Sequence, residues 1–135
     1  MDLHGIEINV DAAEQLAQVI PLLNVNQCSI LDFTPSQTWD LVLIKTVLIH
    51  INPDELPQVY DKLVDSNSNY LLVAEYYKPT PVAIPYRGHS DRLFKRDFAG
   101  ELIDKFNLKL IDYGFVYSRD KNFPQDDVTW FLLKK

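Results

Sequence analysis

A single cysteine, Cys28, stands in the chain, so no internal disulfide is available, and a reducing, cytoplasmic setting is expected. No run of 18 apolar residues occurs, which excludes a membrane-spanning helix. No basic segment followed by an apolar core opens the sequence, so no secretory signal is expected. One cysteine and three scattered histidines do not make a zinc site, and no metal is expected. Positive charge is scarce: 13 Lys and Arg face 19 Asp and Glu, a net charge of -6. An acidic chain of this kind lacks the basic face that nonspecific nucleic-acid binding requires. Repeats and low-complexity tracts are absent as well. What remains is 135 residues with 47% apolar side chains, a single domain long enough to bury a core.

The order of elements is legible from periodicity. Leu3 to Asn9 reads as a short strand that ends on a carboxylate, Glu7. A helix follows to Ile20, with Asp11 as its N-cap, Glu14 completing a capping box, and Ala12, Leu16, Val19 and Ile20 as the apolar stripe. Pro21 ends it. Gln27 to Leu31 reads as a second strand, followed by Asp32-Phe33-Thr34-Pro35. Trp39 to Lys45 is a nearly continuous apolar run, as in a parallel strand buried on both faces. Asn52-Pro53 opens a helix whose stripe is Leu56, Val59, Tyr60, Leu63 and Val64, with Pro53 at its first position. A turn at Ser66–Asn69 leads to the strand Tyr70–Glu75. Tyr76 to Arg96, rich in proline and cations, reads as an ordered loop with at most one helical turn. A helix over Asp97–Phe106 and two last strands, Leu108–Tyr117 and Val128–Leu133, complete the chain. Strands alternating with helices predict an α/β fold with a mostly parallel sheet. The last two strands lack a helix between them and predict an antiparallel hairpin at the sheet edge.

In nucleotide-binding α/β domains, a carboxylate at the end of the second strand holds ribose hydroxyls. Glu7 occupies such a place; its alternative is a solvated acid at a helix start. A parallel sheet closed by an antiparallel hairpin is the mark of class I S-adenosylmethionine-dependent methyltransferases, and the residues resemble that family. "GIEIN" is similar to its second strand, "SILDF" to its third, and "WDLVLIKTVLIHINPDEL" to its fourth strand and following helix. The stretch "YRGHSDRLFKRDFAG", with "LIHINP", "DYGFVYSRD" and "FPQDDVTWFLL", resembles the methylases associated with pseudaminic acid biosynthesis. The resemblance covers nearly the whole chain. It implies a Rossmann-like methyltransferase sheet, and it implies a helix, a first strand and a glycine-rich loop ahead of "GIEIN". None of these is in the sequence, so the chain reads as a single partial methyltransferase domain.

The resemblance implies roles for particular residues. Glu7, supported by Asn9, would hold the ribose of S-adenosylmethionine. Asp32 would accept from the adenine amino group, with Phe33 against the ring; otherwise Asp32 is a turn former before Pro35. Lys45 would stand near the methionine end. His50 is the candidate base, or else a structural histidine. Tyr76 and Tyr77, after Glu75, would line the acceptor pocket. The basic loop around Arg87, His89 and Arg92, followed by Lys95 and Arg96, matches an anionic sugar or sugar nucleotide, because arginine forks grip carboxylates and phosphates. Its alternative is a set of surface salt bridges to Asp91, Asp97 and Glu101. The expected function is methyl transfer to a nonulosonic, pseudaminic-type sugar or its precursor. The competing expectation is an inactive truncated remnant that serves as a sugar- or partner-binding module. Without the first strand, "GIEIN" and "DLVLIK" are expected either to pair directly or to be covered by a second copy in a homodimer.

Overall fold

The computed structural model describes residues 1–89 and 93–135. The chain divides into two compact units, Met1–Ser36 and Gln37–Lys135.

In the first unit, β1 (Leu3–Ile6) pairs in parallel with β2 (Leu23–Asn26), and α1 (Val10–Val19) connects them. Both strands alternate half-buried and exposed residues, with Leu3, Gly5, Leu23 and Val25 turned inward. The second strand therefore lies four residues ahead of the expected Gln27–Leu31. That stretch is held as a turn instead. The Ser29 carbonyl accepts from the amides of Asp32 (3.2 Å) and Phe33 (3.0 Å), and the Ser29 hydroxyl accepts from Asp32 N (3.1 Å). A hydroxyl that satisfies a backbone amide locally competes with ladder formation. The cap of α1 also differs from expectation. Asn9, not Asp11, is the N-cap, and its Oδ1 accepts from Ala12 N at 2.9 Å. The helix ends at Val19, before Pro21, with Ala13 as its buried residue. Val19 itself is exposed.

The second unit is a four-stranded sheet in the order β3-β4-β8-β7: β3 (Trp39–Lys45), β4 (Asn67–Glu75), β8 (Val128–Lys134) and β7 (Lys109–Val116). β3 and β4 are parallel, and β8 and β7 run antiparallel to their neighbours, so the expected terminal hairpin lies at the edge. β1 has its ladder with β2 and β3 has its ladder with β4, which replaces the expected direct pairing of those segments with two sheets.

Between the parallel strands runs α2 (Leu56–Ser66). Its predicted stripe of Leu56, Val59, Tyr60, Leu63 and Val64 is buried throughout. The helix starts later than expected, with Pro57 rather than Pro53 in its first turn. Residues 52–55 form a separate turn in which Glu55 N donates to Asn52 O at 2.8 Å. No turn separates α2 from β4. Asn67 caps the helix and begins the strand, and its fully buried side chain accepts from Asn69 N at 2.9 Å. α3 (Phe98–Phe106) begins one residue inside the expected span, because Asp97 is its N-cap, whose carboxylate accepts from Gly100 N at 2.9 Å. It lies beside α2: Tyr60 Oη donates to Glu101 at 2.7 Å, and Lys105 Nζ to Asp61 at 2.7 Å. Leu48, Leu56, Val59, Leu71, Val73, Phe98, Leu102 and Leu133 form the dry centre. Each such side chain contributes about 1.5–3 kcal/mol through burial.

Within the expected loop, β5 (Val82–Ala83) and β6 (Phe94–Lys95) form a small antiparallel pair. On the main sheet, Gly114 of β7 stands opposite Trp130 of β8. A Cβ at Gly114 would lie 2.6 Å from the indole. Gly114→Ala is therefore expected to lower unfolding free energy by about 1–3 kcal/mol, the usual cost of overpacking. Chemical denaturation measures it, and a variant as stable as the parent would show that Trp130 yields freely.

Candidate functional site

The first unit brings the two expected nucleotide-binding acids onto neighbouring chain segments after parallel strands. Glu7 follows β1 directly. Its backbone N donates to Asn26 O at 3.1 Å, and its Oε1 accepts from Asn9 N at 2.8 Å. Glu7 thus fastens the β1–α1 turn with one oxygen, and Asn9 caps the helix with its own side chain. Asp32 is exposed, and its Oδ2 accepts from Ser29 Oγ at 3.0 Å; Phe33 beside it is half-buried. Each carboxylate keeps one oxygen for a hydroxyl or amine donor, which suits the adenosine half of S-adenosylmethionine. For the methionine half, no glycine-rich turn stands among the described residues. The four glycines stand at 5, 88, 100 and 114, too far apart to compose a glycine-rich turn.

In the second unit, β3 and β4 end on the same edge because they are parallel. Lys45 closes β3, and its ammonium donates to Gln125 of the β7–β8 loop. Thr46 follows with a positive φ of 52°, and its N donates to Ala74 O at 2.9 Å. The chain then enters a short 3-10 turn, Leu48–His50. Glu75, the last residue of β4, holds that turn. Its Oε1 accepts from Val47 N at 2.9 Å and from Leu48 N at 3.0 Å, while Oε2 is buried without a hydrogen bond. Only 3% of Glu75 is exposed, and burial pushes its carboxyl up to about 7 despite the backbone donors.

The turn delivers His50 to a pocket of about 380 Å³, lined also by Arg87 and His89 of the basic loop. The expected catalytic histidine and two expected substrate residues thus meet. Asn52, Glu55, Tyr86 and Phe94 also line it. The loop is held by a two-residue hairpin. Tyr86 N donates to His89 O at 2.7 Å, and His89 N to Tyr86 O at 3.0 Å. Its central residues, Arg87 and Gly88, have φ of 49° and 81°. Tight hairpins need positive φ at both centres, which Gly adopts freely and Arg at some cost. The Arg87 guanidinium lies 5.2 Å from the Tyr86 ring centre, and the His50 ring lies 5.5 Å from the same ring. This places the loop at the carboxyl ends of β3 and β4, where α/β proteins bind ligands.

Other expected residues lie elsewhere. Tyr76 donates to Asp126 at 3.1 Å and carries Lys95 over its ring at 5.0 Å. Burial and that carboxylate raise its hydroxyl above the usual tyrosine value. Tyr77 packs on Phe131 with ring centres 5.9 Å apart. Neither lines the His50 pocket. Arg96 pairs with Glu101 at 2.5 Å, as the salt-bridge alternative anticipated. Arg92 and Asp91 lie outside the described residues. Glu55 was hidden in the sequence because an acid after Asn-Pro-Asp reads as a helix cap. Among the described residues, no group of three or more His, Cys, Asp or Glu side chains is placed to hold a metal ion, and no helix is long and apolar enough to cross a membrane.

No protein-family model matches the chain, and no curated protein sequence matches it. Solved structures do. The Burkholderia thailandensis 1,6-didemethyltoxoflavin-N1-methyltransferase, crystallised with 1,6-didemethyltoxoflavin and S-adenosylhomocysteine, superposes with a TM-score of 0.73 at 11% identity; the match covers 99% of this chain and 61% of that one. The N-methyltransferase NodS from Bradyrhizobium japonicum gives 0.74 at 14% identity over 98% of this chain and 72% of its own. A Leishmania major S-adenosylmethionine-dependent methyltransferase gives 0.72 at 14% identity, 98% and 54%. The chain thus spans about three fifths of the first of these proteins and just over half of the third. At these identities the likeness concerns architecture, and the architecture is the α/β, Rossmann-like methyltransferase fold.

Proposed function

We propose that the chain serves S-adenosylmethionine-dependent methyl transfer to a nonulosonic, pseudaminic-type sugar or its precursor, in the cytoplasm. The observation that carries this reading is the meeting of His50, Arg87 and His89 in one pocket at the carboxyl edge of a methyltransferase sheet. When bound, S-adenosylmethionine supplies an electrophilic methyl group on a sulfonium. Glu7 and Asp32 are the residues that would hold its ribose and adenine. Arg87 offers two parallel donors to a carboxylate or phosphate of the acceptor. The rings of Tyr86 and Phe94 give a flat apolar wall for a sugar face. His50 can take the proton of the acceptor oxygen or nitrogen as it becomes a nucleophile. Glu75 acts at one remove, because its two backbone hydrogen bonds fix the turn that carries His50. The edge of β3 opposite β4 has no strand partner among the described residues, and a homodimer across it is the proposed assembly, read by molecular mass in solution.

The test is equilibrium binding of a nucleotide-activated nonulosonic acid. Arg87→Ala is expected to weaken it by about 1.5–3 kcal/mol, the worth of a charge-assisted hydrogen bond. Equal affinity in parent and variant would remove Arg87 from the acceptor site and the sugar-acid reading with it.

A further inference from the structure

Among the described residues, the pocket that holds Arg87 is lined by one acid, Glu55, and its position is unusual. Glu55 is the N-cap of α2, where a carboxylate normally accepts from the first-turn amides. It makes no such bond: its backbone φ and ψ of -96° and -14° are already helical, and the side chain caps nothing. Glu55 is one of the residues that line the His50 pocket. Among the described residues, no ion pair joins it to Arg87 or to any other cation. Arg87 is turned to the Tyr86 ring. Asn52 spends its carboxamide oxygen on Asp54 N at 3.1 Å, which leaves its amino group as a donor. The wall therefore offers a cationic fork, a neutral donor and a separate carboxylate, in a volume of about 380 Å³. That space matches a small-molecule ligand. A ligand that is only anionic would satisfy Arg87 and place its remainder beside the Glu55 carboxylate with nothing to offer it. A ligand with an ammonium group as well would satisfy both.

Resting on the reading of this pocket as the acceptor site, we propose that Glu55 is its specificity-determining residue and selects amine-bearing anionic sugars over sugars that carry the anion alone. Arg87 takes the anionic group, Glu55 accepts from the ammonium, and the sugar ring lies against Tyr86 and Phe94. No donor is needed for this recognition, so it is measurable by binding.

Glucosamine 6-phosphate, N-acetylglucosamine 6-phosphate and glucose 6-phosphate differ at one substituent and serve as probes, titrated by ligand-observed NMR. The parent chain is expected to prefer glucosamine 6-phosphate over the other two by about tenfold, the lower end for a charge-assisted hydrogen bond. Glu55→Gln should bring the three affinities together by weakening glucosamine 6-phosphate. Arg87→Ala should weaken all three alike. Equal binding of the three by the parent, or a preference that survives Glu55→Gln, would overturn the role of Glu55. Binding of none of them would overturn the acceptor pocket itself.

Discussion

Glu75→Ala is expected to lower the unfolding free energy by about 2–6 kcal/mol at pH 5, since it strips partners from two backbone amides, at about 1–3 kcal/mol for each buried group left unpaired. The amides are those of Val47 and Leu48, and that of Leu48 is buried. Glu75→Gln keeps an acceptor for both and should cost far less at that pH. The two forms separate again with pH. Burial raises the carboxyl from 4.5 to about 7 in the folded protein. Between those values the folded state holds a proton that the unfolded chain has released. Stability therefore falls as pH rises from 4.5 to 7 and levels off above. At roughly 1.4 kcal/mol per pKa unit, the loss is about 3 kcal/mol. Denaturant titrations of parent and Glu75→Gln across this range measure it. Relative to Glu75→Gln the parent should lose about that amount as pH rises, so that the variant becomes the more stable form near pH 7, and parallel curves would mean that Glu75 ionises in the fold as it does in water.

The larger expected effect concerns the donor. By itself, the 135-residue chain should bind S-adenosylmethionine no more tightly than about millimolar. Glu7 and Asp32 each have one oxygen left for adenosine, and a few hydrogen bonds at about 0.5–1.5 kcal/mol reach only the ~4 kcal/mol of a millimolar complex. The methionine half needs backbone amides at close approach, the work of a glycine-rich turn. Placing a strand and such a turn ahead of Met1 should bring affinity to the micromolar range, a gain of about a thousandfold or 4 kcal/mol. Glu7→Ala should then reverse part of it. Calorimetry reads all three forms. Micromolar binding by the chain as it stands would mean that other residues complete the cradle.

Much of this was legible in the sequence where one signal dominated. The stripe of α2 left no competing period, and the apolar run of β3 marked a strand, although Leu41 and Leu43 are exposed and the strand is not buried on both faces as expected. The basic loop announced itself as a cluster of cations in an acidic chain. The misreadings share a cause: short polar side chains that bond to nearby backbone. Ser29 turned an apparent strand into a turn, and Asn9 took the cap from Asp11. Asn67 let a helix run straight into a strand. Such bonds leave no periodic trace. Glu55 was missed for the converse reason, since an acid at a helix start looks like a cap until the structure shows it capping nothing. Tyr76 and Tyr77 were placed on the right edge, but where their rings lie depends on Asp126 and Phe131, some 50 residues away.

The most direct test of the account is transfer itself. The chain preceded by a strand and glycine-rich turn is incubated with S-adenosylmethionine labelled in its methyl group and a nucleotide-activated nonulosonic acid, and the label is followed by mass spectrometry. The account predicts labelled sugar, formed more slowly by His50→Ala and at weaker acceptor affinity by Arg87→Ala. Donor and acceptor both bound, with no label on the sugar, would contradict it.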